Sequence, residues 1–512
     1  MFSHLPTPME MSGWDKAAIN DTGIRGEILM ENAAREAVST LLCEYGSVKN
    51  KTILIISGAG NNGGDGFVIG RQLTDLGANV LILHTAPKNK YKGEASYHLK
   101  LAIKSGVQFK YFRAVDKIDL PESDIIIDGL LGTGFNNELR PFTKGIVKAV
   151  NKVRNRSFIF AIDVPSGLNA LTGKAQPIAI LAHTTVTFEA AKVGLILPEA
   201  KQFTGKLIVK KIGIPNKVKN DHPVSHYLIN DSIYEQLPSL TPTMHKGTSG
   251  HVLIIGGSIG LTGALQLAGL AALRAGVGLA TLACPAGLAS QVKAYMPELM
   301  TIGLGCSDHW DDQAVKDLIP LLKNYDAIAI GPGLGRTEGA MNIVEAMISA
   351  GHPPAVFDAD ALYALSRRSH LLISIAENSI FTPHPGEMGR LINKSIAEIE
   401  SSRIETARKY AVSKKVILVL KGAGTIIGCP DGKTIISPIS APNLAAAGSG
   451  DILSGFTGAL LARGVPAMQS ACLGVYLHGK CGLYINRNFP YRGNIASEIA
   501  NSLPQVLKEE LC

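Results

Sequence analysis

The sequence predicts a protein of the α/β class, built from two successive blocks that each contain a parallel sheet covered by helices. Strand-like apolar runs alternate with helical patterns in both blocks, which is the arrangement of parallel sheets. The chain has 512 residues, too many for one ordinary domain of roughly 100–200 residues. The regularity fades around residues 210–239. We therefore expect a first domain at residues 1–220 and a second at residues 221–512.

The first block opens with a buried parallel strand. Thr52–Ser57 has the sequence TILIIS, a continuous apolar run rich in β-branched residues, which is typical of a strand covered on both faces. The run breaks into the glycine-rich segment Gly58–Gly66, and the pattern from Phe67 to Leu76 predicts a helix. Further strands are predicted at Val80–His84, Asp124–Asp128, Phe158–Asp163 and in the apolar run that starts at Thr184.

The second block repeats this alternation after a connector. Lys210–Ser239 is basic in part and contains Pro and Asn, a composition that predicts an irregular connector. Strands are predicted at His251–Ile255, Asp326–Ile330, Ala355–Asp358, Ser379–Thr382 and Val416–Leu420. Ligands of open α/β sheets bind beyond the carboxyl ends of the strands. The residues that follow these strands are therefore the candidates for function.

Composition and charge exclude several classes of protein. The net charge is 50 − 42 = +8, and the basic residues are scattered without interleaved aromatics, which predicts a solvated surface and no nucleic-acid partner. The seven cysteines form no CxxC pair, so a reducing compartment is expected rather than a disulfide framework or a zinc site. Neither a signal peptide nor an apolar span is recognisable. We expect a cytoplasmic protein with no membrane partner.

The strongest local signal is the segment SGAGNNGGDG, which follows the first strand. A strand, a run of glycines and a helix start together form an anion site from backbone N–H groups. The segment is not the dinucleotide fingerprint GxGxxG, and Asn61, Asn62 and Asp65 are its distinctive residues. An ordinary tight turn, in which Asn and Asp tolerate left-handed conformations, is the alternative interpretation.

Two more strand ends carry similar signals. Asp128 is followed by Gly132–Phe135, and Asp163 is followed by Ser166. Asn62, Asp128 and Ser166 would bring oxygen ligands from three loops together, and a single carboxylate with neutral oxygens suits a weakly held monovalent ion better than Mg²⁺. Either aspartate could instead be a helix cap or a turn residue.

A lysine closes the motifs of the first block. Lys192 follows the strand-like run that starts at Thr184 and precedes a glycine turn. A lysine after a strand is usually a surface residue. Near Asp163, however, it could act as an acid or stabilise a charge.

Together with Asn20 and Glu31-Asn32-Ala33, these segments resemble the epimerase half of the NAD(P)H-hydrate repair family, over about residues 10–215. The resemblance implies a Rossmann-like three-layer αβα domain that interconverts the R and S forms of NADH hydrate and NADPH hydrate. It implies that the hydrate is held by Asn61, Asn62, Gly63, Gly64, Asp65, Gly132, Thr133, Gly134, Phe135 and Asp163. Asp163 and Lys192 would be catalytic, and K⁺ would bind at Asn62, Asp128 and Ser166. One departure, Glu189-Ala-Ala in place of Gly-Ala-Pro, could move Lys192.

The second block carries its own ordered set of motifs. A small-residue helix around Ala264, the turn GPGLGR that contains Gly335, and His384 between two prolines follow successive strands. Lys421–Thr425 (KGAGT) offers backbone N–H groups and an ammonium, as a phosphate requires. The run GSGD ends at Asp451 and opens a helix, which forms an anion hole with a carboxylate placed to take a proton. Tight packing alone would also explain the small residues, and a lone histidine is more often structural.

This order resembles the dehydratase half of the same family, a ribokinase-like α/β domain, over about residues 225–510. The resemblance implies that a nucleotide binds at Lys421, Gly422, Ala423, Gly424, Thr425 and Gly450, and that the hydrate contacts Ala264, Gly335, His384 and Asp451. Asp451 would be the catalytic base, with ADP as phosphoryl donor in the presence of Mg²⁺. One departure is Ala441-Pro442-Asn443 in place of Asn-Pro-Gly. A homo-oligomer is also expected.

Three other functions would fit part of the sequence. GSGD and KGAGT alone would permit a ribokinase-like small-molecule kinase with a nucleotide-binding N-terminal domain, but the motifs NNGGDG, DGLLGTG and DVPSG argue against it. A nicotinamide oxidoreductase is disfavoured because no true GxGxxG with a later acidic residue is present. A non-catalytic nucleotide-binding scaffold is disfavoured by Asp163, Lys192, His384 and Asp451.

Overall fold

The structure is a computed structural model that describes residues 1–116, 118–239, 241–294, 296–489 and 493–511. The chain divides into two compact units. The first unit is His4–His226, and the second is Tyr227–Cys512 together with Met1–Ser3. The boundary expected at residue 220 falls inside the short helix Asn216–Asp221.

The first unit contains a parallel sheet. The strands up to residue 226 are β1 (Phe2–His4), β2 (Thr52–Ser57), β3 (Asn79–His84), β4 (Gln108–Tyr111), β5 (Ile125–Gly129), β6 (Phe158–Ile162), β7 (Thr184–Phe188) and β8 (Lys206–Lys210). The helices are α1 (Pro8–Asn20), α2 (Gly26–Tyr45), α3 (Asn61–Asp75), α4 (Gly93–Lys104), α5 (Pro141–Lys152), α6 (Lys201–Thr204) and α7 (Asn216–Asp221). Within the described residues, the sheet order is β4-β3-β2-β5-β6-β7-β8, with every pair parallel.

Helices cover both faces of this sheet. On one face α3 lies so close that a Cβ added to Gly70 would be 2.7 Å from Ile82 Cδ1. On the other face Ile146 and Val150 of α5 pack in one core cluster with Leu54 and Ile126. The strand order reverses between β2 and β5, and such a switch point opens a crevice at the carboxyl ends of the strands. The expected three-layer αβα fold is confirmed.

The second unit contains a mixed sheet. Its further strands are β9 (His226–Ile229), β10 (His251–Ile255), β11 (Leu279–Pro285), β12 (Met300–Leu304), β13 (Ala327–Ile330), β14 (Ala355–Phe357), β15 (Ile380–Phe381), β16 (Ile417–Leu420), β17 (Ile426–Gly428) and β18 (Thr434–Ile436). The helices are α8 (Thr262–Arg274), α9 (Ala289–Lys293), α10 (Asp312–Leu318), α11 (Glu338–Ala350), α12 (Ala359–Arg367), α13 (Pro385–Ile392), α14 (Ile396–Ser401), α15 (Arg403–Lys414), α16 (Ser449–Ala462), α17 (Ala467–Asn486) and α18 (Ala496–Leu511).

The order in this sheet is β1-β9-β18-β17-β16-β15-β14-β13-β10-β11-β12 over the described part of the chain. The strands from β12 to β16 are parallel to their neighbours, whereas β16, β17 and β18 pair antiparallel. A second switch point therefore lies between β10 and β13. Helices α8 and α16 pack through small residues, since a Cβ on Gly455 would be 2.1 Å from Ala268 O. The α/β class expected for this block is confirmed.

Two details differ from the sequence-based expectation. The segment Lys210–Ser239 is not irregular, because it contains α7, β9 and a 3₁₀ turn at Asp231–Gln236. The glycine-rich loop is also shorter than expected, since α3 begins at Asn61 rather than near Phe67. Glycines in its first turns allow the helix to approach the strand end, as a Cβ on Gly63 would be 2.0 Å from Gly58 O. In the part of the chain that the structure describes, no helix is long and apolar enough to span a membrane.

Candidate functional site

A cavity of about 600 Å³ lies in the first unit, at the switch point between β2 and β5. The residues expected there from sequence that do line it are Asn61, Asn62, Asp65, Gly132, Thr133, Gly134, Phe135, Asp163 and Lys192. Gly63 and Gly64 are instead buried in the packing of α3. A Cβ on Gly64 would lie 2.8 Å from Met30 Sδ. These two glycines therefore pack behind the residues that line the cavity.

Asp163 and Lys192 form the charged centre of this cavity. Lys192 Nζ lies 2.5 Å from Asp163 Oδ1 and also donates to Thr187 Oγ1 at 2.9 Å and to Phe188 O at 3.1 Å. Thr187 Oγ1 donates to the same aspartate oxygen at 3.0 Å. Asp163 has φ of +64°, a strained conformation of the kind found at functional sites. The lysine is thus fixed against the carboxylate rather than exposed on the surface.

Glu189 explains why the departure before Lys192 leaves the lysine in place. Glu189 has φ of +62°, the left-handed region that favours glycine. Its buried carboxylate accepts hydrogen bonds from Ile212 N at 3.0 Å and Ile214 N at 3.4 Å, and it pairs with Lys219. These contacts anchor the segment that leads to Lys192 and hold the backbone in the strained conformation.

Two further carboxyl groups that line the cavity have a raised pKa. Burial raises the pKa of Asp15 to about 6. The charge of Lys192 opposes this rise, and the charge of Asp163 adds to it. Burial also raises the pKa of Asp65 well above its usual value, with the charges of Asp163 and Asp15 adding to the effect. Sequence reasoning missed Asp15. The sequence feature that could have indicated Asp15 is its spacing of four residues from Met11 and from Ile19, which also line the cavity.

The residues expected to bind a monovalent ion lie together around the backbone of Leu131. Asn62 Nδ2 donates to Leu131 O at 2.6 Å, and Leu131 N donates to Ser166 Oγ at 2.9 Å. Ser166 Oγ and N donate to the two oxygens of Asp128 at 2.6 and 2.7 Å. Burial raises the pKa of Asp128 to about 6. Asn62 Oδ1 is buried and lacks a hydrogen-bond partner among the described residues, which fits a cation that this oxygen would ligate.

The centre of the second unit is a buried ion pair. Lys421 Nζ lies 2.8 Å from Asp358 Oδ1 and 3.8 Å from Glu387 Oε2. Ser454 Oγ donates to Asp358 Oδ2 at 2.6 Å. Burial pushes the pKa of Asp358 upward, but the ammonium and these hydrogen bonds outweigh it and hold the pKa below its usual value. The sequence pointed to Lys421 as a phosphate ligand, whereas its ammonium is engaged by Asp358 and Glu387.

Asp451 stands at the start of α16, beside this pair. Burial, followed by the charge of Asp358, raises its pKa to about 7 despite the opposing charge of Lys421. A Cβ on Gly450 would be 3.3 Å from Lys421 Nζ, so the first N–H groups of the helix lie near the ammonium. Ser449 Oγ lies 3.0 Å from Nε2 of the half-buried His478, a partner that no sequence motif indicated. The arrangement places the N-terminal N–H groups of α16, which can bind a phosphate, next to a carboxyl group whose pKa is raised to about 7.

The other expected contacts lie on the loops around this centre. His384 is exposed and caps α13, where its Nδ1 accepts from Gly386 N at 3.0 Å. Gly335 has φ of +87°, and its N–H donates to Asp360 Oδ2 at 3.0 Å. Ala264 lies in the first turn of α8, and a Cβ on Gly333 would be 3.2 Å from its Cβ. The loops after β10 and β13 therefore meet at the second switch point.

The remaining expected residues and the second departure have ordinary structural contacts. In the loop Lys421–Thr425, which includes Ala423, Thr425 Oγ1 donates to Gly422 O at 3.1 Å. Asn443 is buried, and its Nδ2 donates to Gly482 O at 2.9 Å. Among the residues described, no group of three or more His, Cys, Asp and Glu could hold a metal ion.

Two family models match the chain. Residues 26–194 match the model described as YjeF-related protein N-terminus, and residues 252–505 match the one described as NAD(P)H-hydrate dehydratase. A bifunctional NAD(P)H-hydrate repair enzyme Nnr of Moorella thermoacetica is 37% identical over 515 residues, which cover 99% of this chain and 97% of that one. The enzyme of the same name from Escherichia coli is 33% identical over 460 residues, 90% of this chain and 85% of that one.

Among solved structures, the ADP/ATP-dependent NAD(P)H-hydrate dehydratase of Bacillus subtilis, co-crystallised with ATP/Mg²⁺, is 29% identical with a TM-score of 0.47. The similarity covers 55% of this chain and 97% of that chain. The similarity to the full-length relatives extends through both units and their charged centres. The chain therefore belongs to the family of bifunctional NAD(P)H-hydrate repair enzymes.

Proposed function

We propose that the chain repairs hydrated NADH and NADPH in two steps, one in each unit. The first unit interconverts the R and S forms of the hydrate, and the second dehydrates the S form with ADP as phosphoryl donor. The observation that carries this proposal is the similarity to repair enzymes along 99% of the chain, at 37% identity. The division into domains at about residue 220 is part of the same proposal.

In the first unit the hydrate would occupy the cavity between α1 and the carboxyl ends of β2 and β5. Asn61, Asn62, Asp65 and Gly132–Phe135 would contact it, with Gly63 and Gly64 shaping the wall. Asp163 would act as an acid or base that moves a proton to or from the hydroxyl group of the hydrate. The ammonium of Lys192, 2.5 Å away, would hold the carboxylate in place and stabilise its charge.

K⁺ would be held in this unit by Asn62, Asp128 and Ser166. The unpartnered Asn62 Oδ1 and the single buried carboxylate are oxygen ligands suited to a weakly held monovalent cation. When bound, the ion supplies positive charge beside the loop Gly132–Phe135. The protein's own contribution is to fix this loop, because Leu131 is hydrogen-bonded to both Asn62 and Ser166.

In the second unit Asp451 would be the base that takes the proton of the hydrate's hydroxyl. Ala264, Gly335 and His384 would contact the hydrate. The nucleotide phosphates would bind at the N-terminus of α16, through Gly450, and at Lys421–Thr425. Phosphorylation of the hydroxyl oxygen by ADP gives a leaving group, and elimination of that group restores the nicotinamide double bond.

Mg²⁺ would arrive with the nucleotide. The described residues offer no cluster of carboxylates free to hold it, and Mg²⁺ is commonly bound by substrate phosphates and one or two carboxylates rather than by an all-protein cage. When bound, the ion neutralises phosphate charge. The cysteine usage supports the proposal of a cytoplasmic location, and the expected homo-oligomer stays a prediction that the mass of the protein in solution would test.

The alternative function is a ribokinase-like small-molecule kinase. Separation of the products by liquid chromatography distinguishes the two. We expect S-hydrate and ADP to give the reduced nicotinamide nucleotide, AMP and inorganic phosphate. Accumulation of a stable phosphorylated product, with no reduced nicotinamide, would favour the kinase.

A further inference from the structure

Helix α1 presents a single acidic side chain to the first cavity. Met11, Asp15 and Ile19 line the cavity from this helix, and their spacing of four places them on one face. The helix is fixed by a capping box between Thr7 and Glu10. Trp14 beside Asp15 is buried and donates from Nε1 to His222 O at 2.8 Å. Asp15 is therefore held over the cavity by a rigid element outside the sheet.

The charges around Asp15 give it no counter-ion of its own. The charged side chains that line the cavity or act on Asp15 across it are Asp65, Glu94, Asp163, Glu189 and Lys192. Helix α7, which packs against α1, adds Lys219, but this lysine is paired with Glu189. The ammonium of Lys192 lies on Asp163. Asp15 and Asp65 are thus two carboxyl groups at the same cavity, and neither is paired with a cation from the residues that the structure describes.

The side chains of Asp15 and Asp65 differ in their exposure to solvent. Both side chains line the cavity, but Asp15 is half-buried, whereas Asp65 is buried in α3. Asp15 can therefore exchange its proton with water as well as with a ligand. A half-buried carboxyl group that lines the cavity is placed to give a proton to a bound ligand.

We propose that Asp15 is a second catalytic residue of the first site, which gives a proton to the hydroxyl that leaves the hydrate, while Asp163 acts as the base. This proposal rests on the epimerase function proposed above. It assigns the acid to α1 and the base to the end of β6, so that the two groups reach the substrate from different elements of the fold.

The chemistry balances with water as the only other reactant. Hydration of the double bond beside the ring nitrogen leaves the hydroxyl on the carbon bonded to that nitrogen. Asp15 gives its proton to this hydroxyl, the C–O bond breaks, and water leaves while the nitrogen lone pair forms a C=N⁺ bond. A water molecule then adds to the same carbon from the other face and gives a proton to Asp163. The product is the opposite epimer, and proton exchange with water restores both carboxyl groups.

The protonation state of Asp15 sets the direction of the pH dependence. Its pKa is raised to about 6, mainly by burial, so the acid form is lost as the pH rises through that value. The kcat/KM for epimerisation should therefore fall above pH about 6, because kcat/KM reports the ionisations of the free enzyme. A residue that only supports the fold would not produce this descending limb in the pH profile of kcat/KM.

The test uses the full-length protein and the purified R-hydrate of NADH without ADP or ATP, so that only epimerisation is measured. The conversion of R to S is followed by chromatography as a function of pH. We expect Asp15→Asn to lower kcat by about a hundredfold or more, the usual contribution of an acid or base, and to remove the limb near pH 6. Asp15→Glu should recover part of the rate, because it restores a carboxylic acid.

Asp21→Asn is the matched control, since it removes an exposed carboxylate at the C-terminal end of the same helix. This variant should retain the rate and the limb. The dehydration of S-hydrate with ADP reports in every variant whether the second unit is intact. Wild-type protein that dehydrates the S form but does not convert R to S would refute the proposed epimerase.

If the wild type does convert R to S, two results would overturn the assignment of Asp15 alone. The first is an Asp15→Asn variant that keeps both the rate and the limb. The second is loss of the limb in Asp65→Asn together with its retention in Asp15→Asn, which would identify Asp65 as the acid.

Discussion

At the scale of single residues, the two sites depend on carboxyl groups whose surroundings change their affinity for protons. Asp451 is the clearest case in the second unit, because burial and the charge of Asp358 raise its pKa to about 7. A base that must be deprotonated gains activity as the pH rises through its pKa. In the first unit Asp163 is instead paired at 2.5 Å with the ammonium of Lys192. The two centres therefore place their acidic residues in different electrostatic surroundings.

We predict that Asp451→Asn lowers dehydration of S-hydrate by about a hundred- to ten-thousand-fold, the contribution expected of a positioned base. In the wild type, kcat/KM for dehydration should rise as the pH increases through about 7. Epimerisation by the variant should be unchanged. A variant that dehydrates at the wild-type rate would show that another group takes the proton.

The opposite pattern is expected for the first unit. Asp163→Asn should abolish epimerisation, because it removes the carboxylate that Lys192 and Thr187 hold in position. Dehydration of purified S-hydrate should continue at the wild-type rate. Loss of S-hydrate dehydration in this variant would contradict the assignment of one reaction to each unit.

The sequence could predict the residues that stand inside strand-end motifs, such as Asp163 and Asp451. It could not predict the partners that come from distant parts of the chain. Asp15 belongs to no motif, and its role depends on a helix placed over the cavity. Lys421 was expected to face a phosphate, yet its ammonium contacts Asp358, which lies 63 residues away in the chain. Such pairings depend on tertiary packing, which local patterns do not encode.

At the scale of elements, glycines decide how closely the loops of the first site approach one another. A Cβ on Gly58 would be 1.8 Å from Leu130 O, whereas a Cβ on Gly134 has nothing within 4 Å. The sequence indicated that such glycines serve close approach. It placed the start of α3 too late, because glycines disfavour helix interiors in general and here are tolerated for their packing against β2.

We predict that Gly58→Ala destabilises the protein by about 1–3 kcal/mol, as expected when a close-packed site is overfilled. The backbone at Leu130 would have to move, because a carbonyl oxygen cannot yield as a flexible side chain can. Gly134→Ala is the matched control and should change the free energy of unfolding by less than about 0.5 kcal/mol. Chemical denaturation measures both variants, and equal stability of the two would contradict this account of the loop.

The proposed ion ligands Asn62 and Ser166 hold the loop between β5 and α5 through hydrogen bonds to Leu131. We predict that replacing K⁺ with a bulky organic cation weakens epimerisation and leaves dehydration of S-hydrate unchanged. Asn62→Leu should remove the dependence on K⁺, because the unpartnered Asn62 Oδ1 would no longer be present. Epimerisation that is insensitive to the cation in the wild type would argue against an ion at Asn62, Asp128 and Ser166.

At the scale of the whole molecule, the chain joins two α/β units that share a design. In each, the first parallel strand lies between the second and the fourth, so that a crevice opens at its carboxyl end. The alternation of strands and helices was sufficient to predict the α/β class and the five central strands of each sheet, whereas β1, β4, β8, β9, β11, β12, β17 and β18 were not predicted. The short strand β9 was missed because its neighbours in the second sheet are β1 and β18, at the start of the chain and far along it.

Two sites in one chain make a direct test of the central claim possible. A mixture of the R and S forms of NADH hydrate is incubated with the purified protein, K⁺, Mg²⁺ and either ADP or ATP, and the near-ultraviolet absorbance of NADH is followed. We predict recovery of the absorbance expected for the whole mixture, faster with ADP than with ATP. Recovery that stops near the share of the S form would show a dehydratase beside an inactive epimerase unit, and no recovery with either nucleotide would contradict the repair function.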